Sequence, residues 1–239
     1  MSFRVGLLLA LLLSIGTAGA QTWLQVQPTS AATPGPRTFA AAIHDPRDGR
    51  MILFGGRGPD GDLNDLWSLD LKGLAGGARW TRIEAEGDAV PAARFTHNAV
   101  YDPQGHQMLI WAGRKVDAEG SAFFNDVWAF AIESSTWTQL EAPDPRPNTR
   151  YGTAAIFDPV AGDLVTFAGF TDAGRFDDTW RFDSRALAWT EISPAEGNPG
   201  RRCLHSASYD AARHRMIIYG GQRSGPLDDI WALDLATQT

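Results

Sequence analysis

Cysteine is almost missing from this chain: Cys203 is the single one in 239 residues, so no intrachain disulfide can form. A chain without disulfides is held by packing alone. Positive charge is in deficit, with 21 Lys and Arg against 28 Asp and Glu and a formal charge of −7. That balance argues against nucleic acid or an anionic membrane as a general partner. Long apolar runs are scarce. The uncharged run from Val5 to Ala20 has sixteen residues, short of the roughly 20 that span a bilayer, so no membrane span is expected. No run with a 3.6-residue period and caps follows residue 20. The five histidines form no His-x-x-x-His pair, and Cys-x-x-Cys and Gly-x-Ser-x-Gly are absent. No metal, no cofactor and no catalytic residue is therefore expected.

The first twenty residues read as an export signal: Arg4 as the charged start, Val5–Leu13 as the apolar stretch, and Ala18-Gly19-Ala20 as the small residues before a cut at Gln21. The expected division is a signal peptide over 1–20 and one domain over 21–239. Such a chain is secreted or periplasmic.

What the chain has in abundance is repetition. Arg37, Arg94, Arg150 and Arg202 each stand eight residues before an aspartate: Asp45, Asp102, Asp158 and Asp210. Each aspartate stands eleven residues before Gly56, Gly113, Gly169 or Gly221, the second member of a Gly-Gly or Ala-Gly pair. An Asp-x-Trp element follows in each unit: Asp65–Trp67, Asp126–Trp128, Asp178–Trp180 and Asp229–Trp231. A period of 52 to 57 residues kept across four units marks a repeat architecture.

Each unit contains four strand-like runs; in the first they are Phe39–Ile43, Met51–Phe54, Leu66–Leu71 and Trp80–Ile83. The second run is apolar without alternation, as in Met108-Leu109-Ile110-Trp111, and a strand apolar on both faces is buried on both. Four-stranded units buried on both faces fit the blades of a propeller. Small residues such as Ala40-Ala41-Ala42 suit an innermost strand, and Asp-Pro pairs open the turns that follow.

These residues resemble the kelch repeat, whose pattern is a Gly-Gly doublet after an apolar strand and spaced aromatics in the third and fourth strands. Gly55-Gly56 and Gly220-Gly221 match it, while Ala112-Gly113 and Ala168-Gly169 depart at the first glycine. The fourth-strand aromatics are Trp80, Trp137 and Trp189. The resemblance implies an all-β propeller of four kelch blades, each a four-stranded antiparallel sheet. Trp23 stands fourteen residues before Arg37, as Trp80 stands before Arg94. Trp23–Val26 is therefore expected to close the ring as the outer strand of the last blade. An open arc or a truncated larger propeller is the alternative.

The four arginines and the aspartates Asp65, Asp126, Asp178 and Asp229 open strands on one face, so they are expected to pair and tie each blade together. The same face carries the long connections over 27–36, 84–93, 141–149 and 193–201. Candidate ligand-binding residues there are Arg57, Arg114 and Arg223 after the glycine pairs, with Phe123, Phe124 and Phe170 as free aromatics. All nine tryptophans fall on repeat positions, which weakens a tryptophan-platform lectin. His97 and His205 share one repeat position, and Tyr151 and Cys203 share another. Kelch-related copper oxidases use such residue types, but their order of ligands is not reproduced. The expected function is an exported, non-catalytic binding module recognising a protein or glycan through its long-loop face. A carbohydrate-active kelch enzyme, mutarotase-like or copper oxidase-like, is the alternative.

Overall fold

The computed structural model describes residues 23–236. They are all-β apart from one 3₁₀ turn at Leu74–Gly76. Four blades stand side by side in propeller fashion. Blade 1 holds β1 (Ala41–Asp45), β2 (Arg50–Gly58), β3 (Gly61–Asp70) and β4 (Arg79–Ile83). Blade 2 holds β5 (Asn98–Asp102), β6 (Gln107–Trp111), β9 (Val127–Ala131) and β10 (Thr136–Gln139), with a small hairpin, β7 (Arg114–Asp117) and β8 (Gly120–Phe123), inserted between β6 and β9. Blade 3 holds β11 (Ala154–Asp158), β12 (Asp163–Thr171), β13 (Gly174–Asp183) and β14 (Ala188–Glu191). Blade 4 holds β15 (Ser206–Asp210), β16 (Arg215–Tyr219) and β17 (Ile230–Asp234). Every pairing is antiparallel and each blade is a meander from its innermost strand outward.

The sequence explains the elements. The Asp-Pro aspartates turn the first strand into the second: Asp102 accepts from the Gln104 and Gly105 amides, and Asp158 from those of Val160 and Ala161. The apolar second strands form the blade cores. In blades 2 and 3, Met108–Trp111 and Leu164–Phe167 are buried throughout, because each lies between two neighbours. At the ends of the row the same strand is covered on one face only. Leu53 and Ile217 are half-buried, and Tyr219 is 56% exposed where its repeat equivalent Phe54 is 0%.

The glycine that ends each pair packs on the residue leading into the innermost strand. A Cβ on Gly56 would lie 2.8 Å from the Ala40 Cβ, and one on Gly113 would lie 2.9 Å from the His97 Cβ. All four of these glycines also have positive φ, from 92° to 119°. Their amides join successive blades: Gly56 donates to the Arg94 carbonyl, Gly113 to Arg150 and Gly169 to Arg202, at 2.9–3.0 Å.

Two expectations need correction. Among the described residues no backbone hydrogen bond joins blade 4 to blade 1, so the row does not close, and blade 4 has three strands rather than four. Trp23–Val26 forms no strand, and Trp23 is fully exposed. The segment after it is drawn instead to the outer edge of blade 1, where the Ala78 amide donates to the Gln27 carbonyl and the Thr29 amide to the Ala78 carbonyl. The same contact recurs one blade on, from the Glu86 amide to the Ser135 carbonyl. Trp23 thus has the phase of an outer strand, but the sheet it is in phase with is not beside it.

Candidate functional site

The arginine that opens each unit organises its blade's upper edge. Arg94 donates from Nη1 and Nη2 to the two carboxylate oxygens of Asp126, at 2.7 and 2.8 Å. The same two-pronged pair joins Arg37 to Asp65, Arg150 to Asp178 and Arg202 to Asp229. Nη1 also donates to the carbonyl of the first residue of each glycine pair, Gly55, Ala112, Ala168 or Gly220, at 3.0–3.1 Å. The tryptophan two residues after each aspartate donates its indole N–H to the same carboxylate, at 2.6–2.7 Å. Arg94, Arg150 and Arg202 are fully buried, so planar fork geometry and satisfied donors are what make them tolerable there. Burial alone would raise the Asp65 carboxyl, but the Arg37 and Trp67 donors outweigh it and hold it below its ordinary value. The Arg202 hydrogen bond, helped by Trp231, holds Asp229 low as well.

Two of these guanidiniums are capped by rings. Phe124 covers the Arg94 guanidinium at 4.0 Å, and Phe176 covers that of Arg150 at 4.0 Å. Phe124 thereby sits on the blade's internal ion pair.

The residues just after the arginines and just after the glycine pairs meet in isolated bridges: Thr38 with Arg57, Phe95 with Arg114, Tyr151 with Phe170 and Cys203 with Gln222. Across the blade boundaries they build a ladder of alternating cations and rings. Arg57 lies over Phe95 at 5.2 Å. Arg114 lies over both Phe123 and Tyr151 at 5.4 Å. Phe123 stacks on Tyr151 at 5.6 Å and 12°, and Tyr151 meets Phe170 edge-on at 5.5 Å. Arg175 closes the row over Phe170 at 5.1 Å.

Of the expected ligand-binding residues, the structure brings Arg57, Arg114, Phe123 and Phe170 together in this ladder. Arg223 lies apart, exposed in a turn where its amide donates to Gly225. Sequence reading missed Phe95, Tyr151 and Arg175. The signal for the first two was their shared position, one residue after the repeat arginine.

The ladder carries charge that its surroundings do not match. Arg57 reaches Asp62 at 3.7 Å, while Arg114 donates to the Ser121 hydroxyl. Among the described residues, neither Arg114 nor Arg175 makes an ion pair. Beside the ladder, the tips of β2–β3 and β7–β8 leave an open cleft of about 550 Å³ lined by Arg57, Asp62, Lys115 and Asp117.

The residues that a copper site would need stay apart. His97 packs edge-on against Phe54 at 5.4 Å and His205 against Phe167 at 5.4 Å, at different blade boundaries. Cys203 is buried against the Gln222 strand, and Tyr151 belongs to the ladder. The one cluster with metal-ligand spacing among the described residues, Asp45, Asp48 and His106, is taken by Arg50, whose guanidinium bonds both carboxylates at 3.1 and 2.9 Å.

Residues 75–239 match the family described as the KLHDC2/KLHL20/DRC7 Kelch-repeats domain. The chain belongs to the kelch-repeat family. It is similar to acyl-CoA-binding domain-containing protein 5 of Arabidopsis thaliana, 30% identical over 83% of this chain and 30% of the relative. It is also similar to the leucine-zipper-like transcriptional regulator 1 homolog of Drosophila melanogaster, 27% identical over 72% of this chain and 17% of the relative. A third relative is the N-(sulfonatooxy)prop-2-enimidothioate sulfolyase of Thlaspi arvense, 26% identical over 62% of this chain and 41% of the relative. The kelch chain therefore spans less than half the length of these curated relatives. No helix among its described residues is long and apolar enough to cross a membrane.

Proposed function

We propose that this kelch chain is an exported, non-catalytic protein-interaction module, and that the arginine–aromatic ladder is its binding surface. The observation that carries the reading is the pair Arg114 and Arg175. Both are half-buried over aromatic rings and both are without a carboxylate partner. A desolvated guanidinium on a ring face is primed to take a carboxylate with two parallel hydrogen bonds. The ladder runs from blade 1 to blade 3 with rings between the cations, which suits an extended protein segment bearing acidic side chains. A glycan is less well served, because the four Asp-x-Trp indoles donate to aspartates and three of those rings, Trp67, Trp128 and Trp180, are buried.

The test is affinity capture from a cell-envelope extract with the wild-type chain and with Arg114→Ala/Arg175→Ala, read by mass spectrometry. A protein kept by the wild type, lost by the variant and weakened by salt supports the reading. An unchanged set of bound proteins, or binding on a glycan array that ignores both arginines, overturns it. Export rests on residues 1–20, which lie outside the described residues. N-terminal sequencing of the purified chain checks it, with Gln21 as the expected first residue.

A further inference from the structure

In blades 2 and 3 the outermost tryptophan is a wedge between neighbouring blades. Trp137 pairs with Phe130 on its own sheet and packs 5.1 Å from Phe54 of the preceding blade. Trp189 pairs with Phe182 and packs 4.6 Å from Trp111 of the preceding blade. Blade 4 repeats the socket without the wedge. Phe167 of blade 3 faces Met216, Ile218, Trp231 and Leu233 across a cavity of about 140 Å³. The β17 edge, which lies where β3, β9 and β13 each bind a fourth strand, has none among the described residues. Trp231 is left 37% exposed where Trp67, Trp128 and Trp180 are buried.

The matching plug is on the same chain at the other end of the row. Trp23 and Leu24 are fully or largely exposed. The phase of Trp23 to Arg37 equals that of Trp80 to Arg94. The following residues already sit against Ala78 as the connection after an outer strand does. Trp23–Val26 is thus held at the edge of blade 1 like an outer strand that has no sheet.

We propose that the socket of blade 4 is filled by Trp23–Val26 of a second copy of this chain. The register follows from blades 2 and 3: Trp23 opposite Leu233, Leu24 opposite Ala232, Gln25 opposite Trp231 and Val26 opposite Ile230. The Trp23 indole then enters the cavity beside Phe167, and the exposed edge of β17 gains a ladder. Each copy offers one socket and one plug at opposite ends, so the contact is head-to-tail.

The test is the mass of the purified full chain by light scattering, with Trp23→Ala alongside it. Self-association that Trp23→Ala abolishes supports the exchange. A cross-link fixes the register independently of stability. Leu24→Cys chains mixed with Ala232→Cys chains should form a covalent dimer that neither forms alone, the native Cys203 being buried. Three results overturn the proposal: a monomeric wild type, an assembly that survives Trp23→Ala, or a Leu24→Cys/Ala232→Cys double variant that cross-links within a single chain.

Discussion

Arg150 and Asp178 form a two-pronged ion pair at 2.5 and 2.9 Å, with the arginine 1% and the aspartate 22% exposed. The pair ties the segment leading into β11 to β13, and Trp180 adds a third donor to the carboxylate. Removing the acid leaves a buried guanidinium with only carbonyls and the Phe176 ring around it. Asp178→Ala is therefore expected to destabilise the fold by about 3 kcal/mol, the usual consequence of breaking one side of a buried pair. Urea unfolding measures it, and a loss below about 0.5 kcal/mol would mean that the pair behaves as a solvated one.

The two departures from the Gly-Gly doublet make a second prediction. Ala112 and Ala168 have φ of 62° and 56°, the same left-handed backbone as Gly55 and Gly220 at 62° and 65°. An alanine there carries roughly 1–2 kcal/mol of strain, and glycine removes it. Both alanines are buried, however, and a lost methyl costs about 0.8 kcal/mol. Ala168→Gly should thus come out near neutral. Gly55→Ala should not, because its Cβ would lie 2.9 Å from the Arg94 carbonyl and 3.0 Å from that of Leu63. Thermal melts of both variants test the contrast: a fall in melting temperature for Gly55→Ala and little change for Ala168→Gly.

The fold was legible because its contacts repeat. The glycine at 56, 113, 169 and 221 recurs since an atom of the segment leading into the innermost strand sits against each one, and a spacing that sterics enforce four times shows in the letters. The arginine–aspartate pairs were legible for the same reason. The ladder was only half legible. Arg57 and Arg114 follow the glycine pairs and so stand out, whereas Phe95 and Tyr151 occupy a position filled by Thr38 in blade 1 and Cys203 in blade 4. A surface feature built from unlike residues at one position leaves no periodic trace. Ring closure misled because phase is a local property of the chain. Trp23 has the right phase, but whether blade 4 comes round to meet blade 1 depends on the angle accumulated over every blade boundary.

The wedge tryptophans supply the third prediction. Trp189 is buried among Trp111, Phe182 and Trp180, with ring centroids 4.6, 4.9 and 6.4 Å away. Two blades lean on that one side chain, so the site cannot collapse when it is cut back. Trp189→Ala is expected to cost roughly 3–5 kcal/mol. Trp189→Phe keeps part of the ring contact and should cost less, and chemical denaturation of the two variants gives the order.

The last prediction concerns acid. His97 and His205 are buried; among the described residues neither ring nitrogen of His205 finds a hydrogen-bond partner, and the Phe54 backbone gives His97 only a weak one. Loss of water around the ring, reinforced by the Arg94 charge, lowers His97 from 6.5 to about 3. Burial and then Arg202 lower His205 to about 4. Both rings are neutral in the fold at neutral pH, while an unfolded chain protonates them below about 6.5. Between that value and the folded values the unfolded state binds more protons, so stability falls as pH falls. Above about pH 7 the two rings contribute no slope. By pH 5 each should remove roughly 2 kcal/mol. Urea unfolding at pH 7 and pH 5 would show a smaller difference for His97→Leu than for the wild type, whatever the variant does to stability at pH 7. Parallel behaviour of the two proteins would mean that the imidazole charges freely inside the blade boundary, and that water reaches the space beside Phe54.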